Sequence, residues 1–156
     1  MRISSKMLIA IGLLLVGCIV LVVINHSSNS ANPLNVLPQN RNIYDWITLF
    51  NSQSDKLEQF NGQIGDVTGM VYRDARYDID TQFMIGGFTP PVSDGGGVFL
   101  GLLVQAQDAK NFAQETWVHV KGTFQVQLFN GQKTPILIAA TVEKIAQPAD
   151  PYLDIK

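Results

Sequence analysis

The residues of this chain that could do chemistry are few, and they are spread along the sequence. Asp74, Asp78 and Asp80 lie close together in the segment DARYDIDT, where carboxylates could gather around a hard cation such as calcium. The segment lacks the turn glycine and the bidentate glutamate of a calcium-binding loop, and Arg73 and Arg76 are interleaved as competing partners. The pattern therefore favours a solvated β-turn over a metal site.

His119 and a run of glycines are the next candidates. The single cysteine, Cys18, lies in an apolar segment, so no nucleophile is identified for His119 to activate. No carboxylate lies nearby in the sequence to orient its ring, and a surface histidine is expected. The triple glycine at 95–97 has no Lys-Ser/Thr after it, which argues against a phosphate loop and favours a sharp turn. The sequence thus predicts no catalytic residue, no metal ligand and no cofactor.

Composition limits the class of protein. The chain of 156 residues has room for a single folded domain behind an apolar N-terminal segment. After Arg2 and Lys6 the chain carries 9 basic and 13 acidic residues, a balance of −4. Because nucleic-acid binding requires a basic surface that displaces counterions from phosphates, no nucleic-acid partner is expected. A single cysteine also excludes an internal disulfide or a thiolate metal cluster.

The apolar N-terminal segment is predicted to be a transmembrane signal anchor. Residues 7–24 contain 18 consecutive uncharged residues, and a helix of that length measures about 27 Å, close to the thickness of a bilayer's hydrocarbon core. Leu15-Val16-Gly17-Cys18 also resembles a lipobox, in which Cys18 would become the lipidated first residue. The apolar run continues directly after Cys18 instead of giving way to a polar tether, so the uncleaved span is preferred and lipidation stays an alternative.

Charge asymmetry predicts the orientation of the chain. Arg2 and Lys6 precede the span and no basic residue follows it until Arg41, which places residues 1–6 in the cytoplasm. Residues 42–156 would then form a periplasmic, extracytoplasmic domain. The predicted location is the bacterial cytoplasmic (inner) membrane, in a single-pass protein.

Between the span and the domain, residues 25–41 are predicted to be a polar tether, because a Ser- and Asn-rich stretch with two prolines cannot bury enough apolar surface to fold alone. Alternatively, its apolar positions could lie against a neighbouring subunit (Leu34, Val36 and Leu37). A short helix follows, with Asn42 as a plausible N-cap and apolar residues at helical spacing (Ile43, Trp46, Ile47 and Phe50). We prefer a helix packed on the domain to one lying on the membrane surface, because its polar face lacks Lys and Arg.

From Ile64 onward the pattern changes to β-strands. Residues 117–129 alternate between apolar and polar side chains, which is typical of a half-buried antiparallel strand (apolar face Val118, Val120, Gly122, Phe124, Val126 and Leu128). Asn130-Gly131 predicts a tight hairpin turn to a partner strand at 135–142. Together with strands near 64–73, 81–88 and 98–105, the pattern predicts a mainly β domain, either a small OB-like antiparallel β-barrel or a sandwich.

Several ordered features resemble one family of membrane proteins. They are an Asn61-Gly62 entry, a G-x-V-Y strand, a W-V-x-V-x-G strand starting at Trp117, a Gly-x-x-x-Pro hairpin and a closing P-x-x-P-Y ending at Tyr152. In this order they resemble the extracytoplasmic domain of the YcgQ-like family, uncharacterised bacterial membrane proteins often paired with a permease. The resemblance covers roughly residues 43–153 and implies an OB-like barrel.

The sequence departs from that family at one segment. The resemblance implies one or two cysteines and an acidic residue after the central strand, a plausible metal or redox site. This chain has GGFTPPVSDGGG there, where Asp94 is the one candidate ligand. A metal role is therefore not expected, and no enzyme activity carries over.

Two classes of function follow. The first is a non-catalytic accessory or structural subunit of a bacterial membrane complex, such as a transporter or an electron-transfer assembly. Its integral membrane partners would be contacted by the β-domain, and the lipid bilayer by residues 7–24. Candidate contact residues are four aromatics and one histidine (Trp46, Trp117, His119, Phe129 and Tyr152). The alternative is a membrane-tethered module that binds a small ligand or a metal and is associated with a permease.

Overall fold

The computed structural model describes residues 41–92 and 95–155. The predictions for the span at 7–24, for Cys18, for most of the tether and for Asp94 fall outside these residues. Within the described part of the chain, no helix is long and apolar enough to cross a membrane.

An N-terminal helix, α1, spans Ile43–Ser52 and continues through a 3₁₀ segment, Ser54–Phe60. Asn42 caps α1 as predicted. Its side chain accepts a hydrogen bond from the Asp45 amide at 2.9 Å, and the Asp45 carboxylate accepts one from the Asn42 amide at 3.1 Å. This reciprocal capping box satisfies two amides that the first turn leaves without a helical partner.

Five strands follow, in the order β1 (Ile64–Tyr72), β2 (Gln82–Phe88), β3 (Phe99–Gln105), β4 (Trp117–Phe129) and β5 (Gln132–Lys144). A short 3₁₀ turn, Ala109–Asn111, precedes β4. All five strands belong to one sheet, which closes in a ring in the order β1-β2-β3-β5-β4. Every pairing is antiparallel except that of β3 with β5. The mainly β prediction is confirmed, and among the described residues there is no second sheet that would make a sandwich.

The β4–β5 hairpin follows the predicted pattern with one exception. Asn130 and Gly131 have φ angles of 49° and 79°, the two left-handed positions of a tight hairpin turn. The inward residues of β4 are buried as far as Phe124, but Leu128 is 75% exposed. The prediction for Leu128 is wrong because β1 pairs with β4 only up to Thr123, so the hairpin tip projects beyond the ring.

Aromatic side chains fill the end of the ring that α1 covers. Trp46 is fully buried, and its ring lies 4.6 Å from that of Phe124 and 5.5 Å from that of Phe50. Phe60 packs edge-on against Phe50. The helix is therefore packed on the domain, as preferred. Trp46 must be withdrawn from the candidate contact residues, because a side chain with no exposed surface belongs to the core.

Arg73 joins the β1–β2 loop to the β3–β4 connection. Its guanidinium donates hydrogen bonds to the carbonyl oxygens of Ile79 at 2.8 Å and Phe112 at 2.6 and 3.0 Å, and also to those of Gln82 and Ala109. Burial lowers the pKa of Arg73, but a guanidinium stays charged in proteins. The side chain therefore acts as a structural clamp rather than as a competitor for the nearby aspartates.

The C-terminal segment, residues 145–155, begins beside β4, where the Ile145 amide donates to the Trp117 carbonyl, and ends beside β2. Tyr152 forms a parallel bridge with Phe88, and the Leu153 amide donates to the Phe88 carbonyl at 2.8 Å. Leu153 is buried with the core residues, and a Cβ at Gly87 would come within 3.0 Å of it. The end of the segment is held to the start of α1, because the side-chain amide of Asn42 donates a hydrogen bond to the backbone carbonyl of Asp154 at 2.8 Å.

Candidate contact site beneath the C-terminal segment

A groove of about 370 Å³ lies between the C-terminal segment and the outer face of the sheet. We call it the strap groove. Its volume falls within the range of protein sites that bind a small molecule, about 300–1,000 Å³. Strands β1, β2 and β4, together with the C-terminal segment, contribute its lining (Met70, Gly87, Phe88, Trp117, Gln147, Pro151 and Tyr152), and Glu115 completes it.

Strand register explains why these side chains meet. Met70 and Trp117 are cross-strand partners in β1 and β4, and each flanks a buried residue of its strand. Because side chains alternate across a sheet, both point outward and lie side by side. Phe88 and Tyr152 are brought together by the parallel bridge between them, and the two residues are 44% and 48% exposed.

Glu115 lies at one side of the groove in an unusual backbone conformation. Its φ angle is 65°, a left-handed value that costs a non-glycine residue about 1 kcal/mol or more. The turn is fixed by two hydrogen bonds to β1, from the Glu115 amide to the Val71 carbonyl and from the Val71 amide to the Thr116 carbonyl, each at 2.8 Å. Such strained positions are concentrated at functional sites. Sequence analysis missed this residue, because nothing in its immediate sequence signals the conformation.

The strands and the groove lie within a stretch of sequence that matches a known protein family. A sequence model of the DUF1980 C-terminal domain matches residues 28–153, which is most of the chain. The chain belongs to the DUF1980 C-terminal domain family. This membership is consistent with the resemblance to the YcgQ-like family and covers every strand of the closed sheet. A comparison with curated proteins gave no match.

Of the five predicted contact residues, the DUF1980 domain brings Trp117 and Tyr152 together in the strap groove. Phe129 lies elsewhere, near the hairpin tip, where its ring is 5.6 Å from that of Tyr77. The Tyr77 hydroxyl in turn donates to the sulfur of Met84 at 2.7 Å. Phe129 therefore holds the β1–β2 loop against the outside of the sheet, and its contact surface is partly covered within the chain.

His119 is oriented by a carboxylate that lies far from it in the sequence. Its Nε2 lies 2.5 Å from the Oδ1 of Asp66, and Lys121 Nζ lies 3.5 Å from the Oδ2 of the same carboxylate. The register of β1 with β4 pairs Asp66 with Lys121 and Thr68 with His119, so the partner comes from 53 residues away in the sequence. The three side chains form a polar cluster on the outer face, beside the strap groove on the same two strands.

Acid is expected to weaken this cluster. Burial raises the pKa of Asp66, but the hydrogen bond and charge of His119, with those of Lys121, outweigh burial, and the resulting pKa is lower than usual. A carboxylate with a depressed pKa stabilises the fold above its unfolded pKa, and this contribution is lost as the pH falls through the ordinary pKa of an aspartate, about 4, and below it. Because all three groups are partly exposed, the loss should stay below about 1 kcal/mol.

Urea unfolding at several pH values checks this expectation. The free energy of unfolding of wild type should fall more steeply below pH 5 than that of Asp66→Asn. Asp108→Asn, in an exposed turn, is the matched control and should keep the wild-type slope. Equal slopes for wild type and Asp66→Asn would contradict the role given to Asp66.

The aspartates considered for calcium form turns, as the sequence favoured. Asp74 pairs with Arg76 at 2.8 Å, and Asp78 accepts hydrogen bonds from the Asp80 amide and the Thr81 hydroxyl. Within residues 41–92 and 95–155, no three His, Cys, Asp or Glu side chains are grouped as they would be to hold a metal ion.

Proposed function

We propose that this chain is a non-catalytic accessory subunit of a bacterial membrane protein complex. In this proposal residues 7–24 anchor it in the cytoplasmic membrane, and the β-domain contacts an integral membrane partner on the extracytoplasmic side. The strap groove is the proposed contact site. The observation that carries the proposal is the meeting of Trp117 and Tyr152, two of the residues predicted as contacts, in one partly exposed groove.

The chemistry of the groove favours a protein partner. Protein interfaces are enriched in Trp, Tyr, Phe and Met, and truncation of a central aromatic often costs the complex 2 kcal/mol or more. The groove combines Trp117, Tyr152, Phe88 and Met70 on a framework of strands whose backbone is fixed by hydrogen bonds. Rigid aromatic side chains of this kind lose little conformational entropy on binding, so they suit a stable contact.

We also propose that the closed sheet is an OB-like barrel of the YcgQ-like type. The ring order β1-β2-β3-β5-β4 with a parallel β3–β5 pair supports this assignment. OB-folds bind oligonucleotides and oligosaccharides on the face of their second and third strands and on adjoining loops. In this chain Tyr77 and Phe129 cover part of that face. The strap groove is therefore the surface that we propose for partner contact.

Purification from native membranes in a mild detergent tests the proposed function. We expect the full chain to elute with an integral membrane protein in a fixed molar ratio, because an accessory subunit is held by specific contacts. Recovery of the chain alone, with no stoichiometric partner, would contradict the proposal.

The alternative, a tethered module for a small ligand, is favoured by the groove volume alone. It differs in its expected result, since a ligand module should bind its ligand without a partner. Titration of the full chain with copper, zinc and calcium, followed by calorimetry, tests the metal form of this alternative. Binding at micromolar concentration would favour it, and no binding would remove the metal form.

A further inference from the structure

We propose that the strap groove receives the side chain of an arginine from the partner protein. The inference rests on the proposed function and specifies which group of the partner enters the site. It follows from the charge and the aromatic character of the groove, considered together.

Glu115, an exposed residue at one side of the groove, is the source of the groove's negative charge. Within residues 41–92 and 95–155, it is the one acidic residue of the lining, and no lysine or arginine lines the groove. Among the described residues, no salt bridge involves Glu115, although four pair other charged side chains. An apolar occupant would cover this carboxylate without compensating it, which is costly. A cation would both neutralise it and form charge-assisted hydrogen bonds.

Aromatic rings give the groove a second feature that suits a cation. Trp117, Phe88 and Tyr152 line it from three different elements, and the faces of such rings attract cations by about 0.5–2 kcal/mol. The domain uses this interaction internally, since the Arg41 guanidinium lies 5.0 Å from the centre of the Trp46 ring. A carboxylate beside aromatic faces therefore matches a cationic ligand better than a neutral or anionic one.

The choice of arginine over lysine follows from shape. A guanidinium is planar, so it can stack on an aromatic ring while its edge donates two hydrogen bonds to a carboxylate. An ammonium group is compact and more strongly hydrated, and it loses more on leaving water. Arginine is also enriched at the cores of protein interfaces, whereas lysine is depleted there.

Methionine NMR gives a direct test, because the chain has only four methionines and one of them lines the groove. The full chain, labelled with ¹³C at the methionine methyl groups and held in detergent, is titrated with N-acetyl-arginine methylamide. The Met70 signal, assigned with Met70→Leu, should shift with a dissociation constant in the millimolar range. Met84 is the internal control, because its methyl group lies beside Gly101 of β3 and it is not part of the groove lining. Its signal should not shift.

Controls separate charge from nonspecific contact. The neutral citrulline analogue should leave the Met70 signal in place, and the lysine analogue should bind more weakly than the arginine probe. Glu115→Gln should weaken arginine binding at least about fivefold, the effect of roughly 1 kcal/mol. The matched substitution Glu143→Gln, at an exposed position of β5 outside the groove, should leave it unchanged.

Three results would overturn the inference: no shift of Met70 with arginine, an equal shift with citrulline, or unchanged binding by Glu115→Gln. Equal binding of the lysine analogue would overturn the choice of arginine. The proposed function is tested separately by co-purification. A partner that co-purifies with a chain whose groove ignores arginine would therefore defeat the inference and leave the proposed function standing.

Discussion

Replacing Trp46 with alanine should lower the free energy of unfolding by about 3–5 kcal/mol. The side chain is fully buried and contacts the rings of Phe50 and Phe124, so alanine would leave a large cavity where the helix meets the sheet. Ring contacts of this kind add to the loss beyond the buried area. Denaturant unfolding of the full chain in detergent, followed by circular dichroism, measures the change.

The matched control lies two residues further along the same helix. Thr48 is exposed, and Thr48→Ala should change the unfolding free energy by no more than about 0.5 kcal/mol. The comparison also tests the alternative that this helix lies on the membrane surface. In that case Trp46→Ala would weaken membrane binding and leave the stability of the domain almost unchanged, which would contradict the packing described above.

Replacing Arg73 with methionine should lower the free energy of unfolding by about 3 kcal/mol. The guanidinium donates to four carbonyl groups on both loops that it joins, and hydrogen bonds that involve a charged group contribute about 1.5–3 kcal/mol each. Because the site is only partly buried, water can donate to some of these carbonyl groups in the variant. The loss of unfolding free energy should therefore stay well below the sum of the individual hydrogen-bond contributions. Methionine keeps much of the apolar stem, so the loss reports mainly on the hydrogen bonds.

Arg76 provides the control on the same loop. It forms one exposed ion pair with Asp74, and such pairs contribute little to stability because solvent screens them. The pairing lowers the pKa of Asp74 through hydrogen bonds from Arg76, but at this exposed site the effect on stability is small. Thermal unfolding of both variants measures the difference, and similar losses for Arg73→Met and Arg76→Met would refute the role of Arg73 as a clamp.

Local patterns in the sequence were enough to predict most of the fold. The capping of α1 by Asn42 depends on residues within one turn, and the alternation in β4 reports directly which side of a strand is buried. Asn130-Gly131 specifies a turn by its own backbone preference. These features need no knowledge of distant partners, and the structure confirms them.

The site depends on register between distant strands, which no local pattern records. Met70 meets Trp117, and Asp66 meets His119, only because β1 pairs with β4 in one particular alignment. The same limit explains the error for Leu128. The apolar–polar alternation of β4 continues to this residue, although β1 pairs with β4 only as far as Thr123. Trp46 was wrongly predicted to contact a partner for a related reason. An amphipathic pattern shows that one face of a helix is buried, but it does not show whether the domain itself or a partner covers that face.

Partner retention by matched variants is the most direct test of the strap groove as a contact site. Trp117→Ala and Tyr152→Ala remove aromatic side chains from the groove, whereas Leu128→Ala removes an exposed apolar side chain from the hairpin tip of the same domain. After co-purification from native membranes, each groove variant should keep its fold but retain partner at least about tenfold less tightly than wild type, a loss of about 1.4 kcal/mol. Leu128→Ala should retain it fully. Full retention by both groove variants, or equal loss by Leu128→Ala, would contradict the account.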